Sequence, residues 1–168
     1  MKKLILSVFA LAAVVLSANA QTNTKTTAAT AGGEIITPIT LTNDGTVLQF
    51  GRIAVGTAAT GTVVIAPASG DQTGTAAATD VSLVAGTSRQ ATPFVVGGKV
   101  GCVYGVTLPP NGFVLDAGLA IDFTDNATHT IVNGAGDVFY VGGTLTITKA
   151  TAVVGPHTQS FNVTVTYN

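Results

Sequence analysis

The chain has 168 residues and a formal net charge of −1, with seven Lys and Arg against eight Asp and Glu. A single cysteine excludes an intrachain disulfide, and the absence of any basic patch argues against nucleic acid as a partner. Only 9% of the residues are charged. Thr, Val, Ala and Gly dominate instead, and Thr and Val favour a pleated, half-buried surface.

Residues 1–20 read as a secretory signal peptide. Lys2 and Lys3 make a positive start, and Leu4 to Leu16 an apolar run too short to span a membrane comfortably. Ala18-Asn19-Ala20 is a small-residue cleavage site without the cysteine of a lipid-anchored protein. Cleavage before Gln21 removes twenty of the 168 residues and leaves 148, with no membrane span. Five basic residues then face eight acidic ones, a net charge of −3. That length suits one domain with its own core. The expected location is secreted, reached through the periplasm and ending at the cell surface or outside the cell.

Residues 21–33 are rich in Thr, Ala and Gly with no large apolar side chain, the composition of a flexible arm. The domain is expected over 34–168. Glu34 to Thr42 is strand-like, and Pro38, which donates no ladder hydrogen bond, assigns it to an edge. Asn43-Asp44-Gly45 is a turn. Val47 to Val55 reads as one strand, with Leu48, Phe50 and Arg52 opposite Val47, Gln49 and Gly51. Gly61 to Ala66 is a short strand, and Ala68 to Ala78 a loop. Thr79 to Ala85 and Thr92 to Val96 are strands, followed by a long one from Lys99 to Leu108 that Pro109-Pro110 stops. Phe113 to Asp116 is short. Leu119 to Phe123 alternates cleanly. Asp125 to Gly136 is a polar loop. Val138 to Thr148 is a strong strand in which Gly142-Gly143 predicts a bulge. Nothing after the signal shows a helical period. Nine or ten short antiparallel strands punctuated by Gly, Pro and Asn predict an all-β, Ig-like β-sandwich.

Catalytic patterns are weak. Ser69, Ser82, Ser88 and Ser160 lack a nucleophile elbow. A triad of His129 with an Asp is formal only, and His157 lies in a turn, so no enzyme activity is expected. No Cys/His cluster has zinc spacing. Asp122, Asp125 and Asn126, with Asp137 across a sheet, are oxygen donors suited to calcium, but they are equally ordinary turn formers. No metal or other cofactor is expected. Cys102, in an apolar run, reads as a small buried hydrophobe.

The last stretch carries the clearest pattern. Phe161, Val163, Val165 and Tyr167 point to one face of a strand, and Asn162, Thr164, Thr166 and Asn168 to the other. Counting from Asn168 as the first residue, Tyr167 is penultimate and Gly155 is fourteenth. A glycine at that place, alternating apolar residues and a penultimate tyrosine resemble the carboxy-terminal motif of chaperone–usher pilus subunits. Thr37-Pro38-Ile39-Thr40, Leu48-Gln49-Phe50-Gly51 and Tyr140 to Leu145 resemble uncharacterised pilin-like secreted bacterial domains, similar in turn to spore-coat U-type proteins. Together the resemblance spans roughly residues 34–168.

The resemblance implies a subunit of a fimbrium or surface coat that assembles by donor-strand complementation. Its partners would be itself or related subunits, and a periplasmic chaperone in transit. Phe161, Val163, Val165 and Tyr167 would form the assembly edge, and Gly155 would allow a close turn or backbone approach beside it. Fully buried, four such side chains are worth roughly 6–12 kcal/mol gross, comparable to the net stability of a domain. Ile35, Ile39 and Leu41 are either the donor residues offered to another subunit or this domain's own first strand. A different class of function is a carbohydrate- or surface-binding, adhesin-like module. It would need an exposed aromatic platform, for which Tyr104, Tyr140 and Tyr167 are the tyrosines available.

Overall fold

A computed structural model describes residues 24–56, 60–70, 72–77 and 81–168. The chain divides into two units, Met1–Glu34 and Ile35–Asn168. Of the first, residues 24–34 are described; they form no strand and every one is exposed. The signal peptide expected over 1–20, and residues 21–23 of the expected arm, lie outside the described residues.

The second unit is all-β. Its strands are β1 (Thr40–Thr42), β2 (Ile53–Val55), β3 (Thr60–Ile65), β4 (Thr75–Ala77), β5 (Val81–Leu83) and β6 (Thr92–Gly97). They continue with β7 (Tyr104–Thr107), β8 (Phe113–Asp116), β9 (Leu119–Asp125), β10 (Asp137–Thr148) and β11 (Thr164–Tyr167). Every pairing is antiparallel. Seven strands form the main sheet, β11 pairs with β7, and β2 pairs with β5. Among the described residues no helix is long and apolar enough to cross a membrane.

β10 organises the main sheet. Along one edge it pairs first with β6, from Asp137↔Val96 to Val141↔Thr92, and then with β3, from Gly143↔Ile65 to Thr148↔Thr60. Along the other edge β9 runs without interruption from Val141↔Asp125 to Ile147↔Leu119. β1 extends the sheet beyond β6, β4 beyond β3 and β8 beyond β9. The partner exchange falls at Gly142-Gly143. A side chain at Gly142 would collide with the backbone of Ile65, Ala66 and Pro67, and one at Gly143 would lie 2.7 Å from Asp122 O. The two glycines therefore mark a crowded hand-over between strands rather than the predicted bulge. The register irregularity of the main sheet is instead between Val114 and Asp116 in β8.

Period-2 alternation sets which side is the core. Phe139, Val141, Leu145 and Ile147 of β10 are buried, as are Leu119, Ile121 and Phe123 of β9 and Val63 and Ile65 of β3. The second layer covers this face. Phe161 sits on Phe123 with ring centroids 4.4 Å apart, and Tyr104 of β7 reaches across to Asp137 of β10. One hydrophobic cluster joins the two layers, as a sandwich requires.

Several predicted elements are shorter or divided. Only Thr40–Thr42 of the Glu34–Thr42 stretch is a strand, and it lies at a sheet edge as Pro38 requires. Leu48 and Phe50 are buried and Val47 exposed, as the alternation predicts, but the chain turns at Gly51 (φ +77) and resumes as β2. β4 emerges from the predicted 68–78 loop. The 99–108 strand keeps only β7, because residues 98–101 form a bend and turn. Within the predicted polar loop, Ile131 is fully buried and Thr130 bridges to Val103.

Candidate functional site

The terminal strand is where the second layer ends. β11 pairs with β7 from Thr164↔Thr107 to Tyr167↔Tyr104, and Asn168 N–H prolongs that ladder to Val103 O at 3.1 Å. The other side of β7 is taken by 129–131, through Tyr104 N–H to His129 O at 3.0 Å and Ile131 N–H to Cys102 O at 3.1 Å. The second layer thus reads 129–131, β7, β11. Among the described residues, β11 has no backbone partner on its remaining edge.

β1 lies close to β11. The contact that bridges them is one side chain. Tyr167 Oη accepts from Lys99 N–H at 2.8 Å and donates to Thr37 O at 2.8 Å. Gly98 makes room for this, since its Cβ would collide with the Tyr167 hydroxyl and stand 2.9 Å from Ile131 Cδ1. The penultimate tyrosine therefore ties the second layer to the turn after β6 and to the segment entering β1. The sequence marks the tyrosine, but its three partners are 68 to 130 residues away and have no local signature.

Phe161, Val163, Val165 and Tyr167 all face the core, and Asn162, Thr164, Thr166 and Asn168 all face solvent, as predicted. None of the four reaches the full burial of Phe139 or Val141; all are half-buried. Residues 160–163 leave the ladder. A groove of about 360 Å³ opens there, with Pro109, Pro110 and Phe113 on one side and Phe161 and Asn162 on the other. Two of its lining residues, Phe113 and Phe161, flank the buried Phe123 in an aromatic row.

The upstream candidates separate. Leu41 pairs with Val96 in its own sheet, and Ile39 is half-buried against the core, so these two belong to the domain's own first strand and its approach. Ile35 is fully exposed, whereas Ile36 is about one-third exposed at 37%. Gly155 has φ +148, a conformation that favours glycine. Of the expected close turn or backbone approach, the chain bends at Val154-Gly155, and nothing lies within 4 Å of where the Gly155 Cβ would be.

The other chemistry-bearing residues are structurally engaged. Asp122 Oδ1 accepts from Gly112 N–H (2.6 Å), Asp125 Oδ1 from Ala127 N–H (3.0 Å) and Asn126 Oδ1 from Tyr140 N–H (2.7 Å). Buried Asp137 accepts from the Tyr104 hydroxyl and from Thr128 Oγ1–H (2.8 Å). Burial, reinforced by that bond to Asp137, raises the Tyr104 phenol well above its usual range. Among the described residues no three His, Cys, Asp or Glu come together as metal ligands. His129 is exposed with φ 60, its ring tilted on Tyr104. His157 does meet an Asp, but its other ring nitrogen is taken by Val153 O, leaving none for a serine. Cys102 is a free thiol, half-buried rather than buried. No described Phe or Tyr is exposed.

These features define an antiparallel β-sandwich domain whose last strand carries an incompletely covered apolar face. Residues 39–167, well over half of the chain, match DUF4402, a domain of unknown function, and the chain belongs to that family. No curated protein and no solved structure matches it.

Proposed function

We propose that this protein is a secreted structural subunit, pilin- or coat-like, that assembles with copies of itself or related chains through β-strand pairing along β11. One observation carries the reading: Val165 and Tyr167, with Phe161 and Val163 on the approach to them, are all half-buried, and β11 is hydrogen-bonded along one edge only among the described residues. An added strand would satisfy that edge's backbone groups. Ile35 of another copy is suited to the role, being a fully exposed apolar residue upstream of β1. A periplasmic chaperone would cover the same edge in transit, and the signal peptide would direct the export. The carbohydrate-binding alternative needs an aromatic platform, and the described aromatic residues offer none that is exposed.

The test is the oligomeric state of residues 21–168. Heat-sensitive oligomers in light scattering and unheated gels are expected, and deletion of 161–168 should abolish folding or export. A strictly monomeric, stable protein at high concentration would overturn the assembly reading.

A further inference from the structure

The segment that delivers the chain to its terminal strand, residues 149–159, is attached at both ends to one turn, Asp116 to Gly118 between β8 and β9. At its start, Thr148 N–H donates to Gly118 O at 2.7 Å, and Thr151 and Ala152 N–H return to Thr148 O. Packing there is tight, because a Cβ on Gly118 would lie 2.5 Å from both Ala152 N and Thr151 Oγ1. At its far end, His157 Nδ1 is 2.7 Å from Asp116 Oδ2, and His157 Nε2 is 2.8 Å from Val153 O. A carboxylate and a carbonyl are both acceptors. Both contacts are hydrogen bonds only when both ring nitrogens carry protons.

We propose that His157 and Asp116 form a proton-operated latch that holds residues 149–159, and through them the approach to the terminal strand, against the β8–β9 turn. The latch is closed when His157 is an imidazolium and Asp116 a carboxylate, and it opens when either loses its charge. The His157 side chain is 14% exposed and that of Asp116 is 51% exposed, so the pair sits where protons exchange freely while the ring is sheltered.

The electrostatics agree with the geometry. The bond to Asp116, then the Val153 carbonyl, raises His157 above its ordinary 6.5. The Ala117 N–H, then His157, holds Asp116 below its ordinary 3.8. The histidine contribution is complete below 6.5 and is lost as pH rises through the raised folded value. The aspartate contribution is complete above 3.8 and is lost as pH falls through the lowered folded value. The closed window therefore extends past both ordinary values. Ala117 and Gly118 bring no charge to the turn, and Lys149, the other charge on the segment, bonds Val55 O at 3.2 Å. Asp116 is the charged group that acts on His157.

The latch does not depend on the assembly reading and is tested on soluble, folded protein. Hydrogen exchange of amides 150–163, corrected for the intrinsic effect of pH, should show protection near pH 6 that is lost near pH 9. In His157→Gln, protection should be low at both values, and in His129→Gln the wild-type pH dependence should persist. Proton NMR should also show His157 titrating above 6.5 and returning toward it in Asp116→Asn. Equal protection at the two pH values, a pH dependence that survives in His157→Gln, or a His157 titration unmoved by Asp116→Asn would overturn the latch.

Discussion

The Tyr167 hydroxyl occupies the space that a side chain at Gly98 would fill. From there it bonds the Lys99 amide and the Thr37 carbonyl, joining the last residues of the domain to the turn after β6 and the entry to β1. Tyr167→Phe removes both bonds and should cost about 1–2 kcal/mol, since each net hydrogen bond is worth about 1 kcal/mol. Gly98→Ala should cost more, about 2–3 kcal/mol, because the added methyl meets the ring end of Tyr167 and Ile131. The two changes should be non-additive, with Gly98→Ala costing less in a Tyr167→Phe background. Urea denaturation of the four proteins in the cycle checks this.

Gly142 and Gly143 should tolerate no side chain. At Gly142 the obstacle is the backbone at Ile65–Pro67, where β3 takes over from β6, and backbone cannot rotate aside. Gly142→Ala should cost about 3 kcal/mol or more, beyond ordinary overpacking. The measurement is the denaturation midpoint, or the loss of soluble folded protein. Gly134→Ala, with open space around it, is the matched control.

Phe161 contributes to the fold and to the proposed assembly edge together. Its ring packs on Phe123 at 4.4 Å but remains half-buried. A fully buried Phe→Ala change costs 3–5 kcal/mol, so about 2 kcal/mol is expected here. Phe161→Ala should also weaken self-association under conditions where the monomer stays folded. Sedimentation velocity over a concentration series separates the two effects.

The Tyr104 hydroxyl is the buried donor to Asp137. Tyr104→Phe leaves that carboxylate with the Thr128 hydroxyl and should cost about 1–3 kcal/mol. In the wild type, burial first and the Asp137 bond second raise the phenol above its ordinary 10.0. The folded state therefore keeps this proton while the unfolded chain releases it. Stability from this group is complete below about pH 10 and falls as pH rises beyond it. Absorbance at alkaline pH should show Tyr104 ionising only with unfolding, and Tyr104→Phe should flatten the alkaline loss of stability.

The alternation at Leu119–Phe123, Val138–Thr148 and Phe161–Tyr167 was legible because side-chain direction in a strand is a local, period-2 property. The same locality placed the Asn43–Gly45 turn, where Asn43 Oδ1 and Asp44 Oδ1 accept from the amides of Gly45 and Thr46. Locality also explains the errors. β4 is three residues of Thr and Ala paired to β3, and Ile131 is buried because 129–131 lies beside β7, so neither has a local pattern to read.

By itself, then, the sequence determined an all-β chain and the inward face of each long strand, because backbone geometry alone turns alternating residues to opposite sides. Only the tertiary structure decided which strands are neighbours. It made Gly142-Gly143 the point where β10 changes partners, divided Ile35–Leu41 into an exposed part and a cis-paired strand, and brought Thr37, Gly98 and Lys99 to Tyr167. Those relations depend on the loop paths and on packing between layers, which act over tens of residues and leave no periodic trace in the chain.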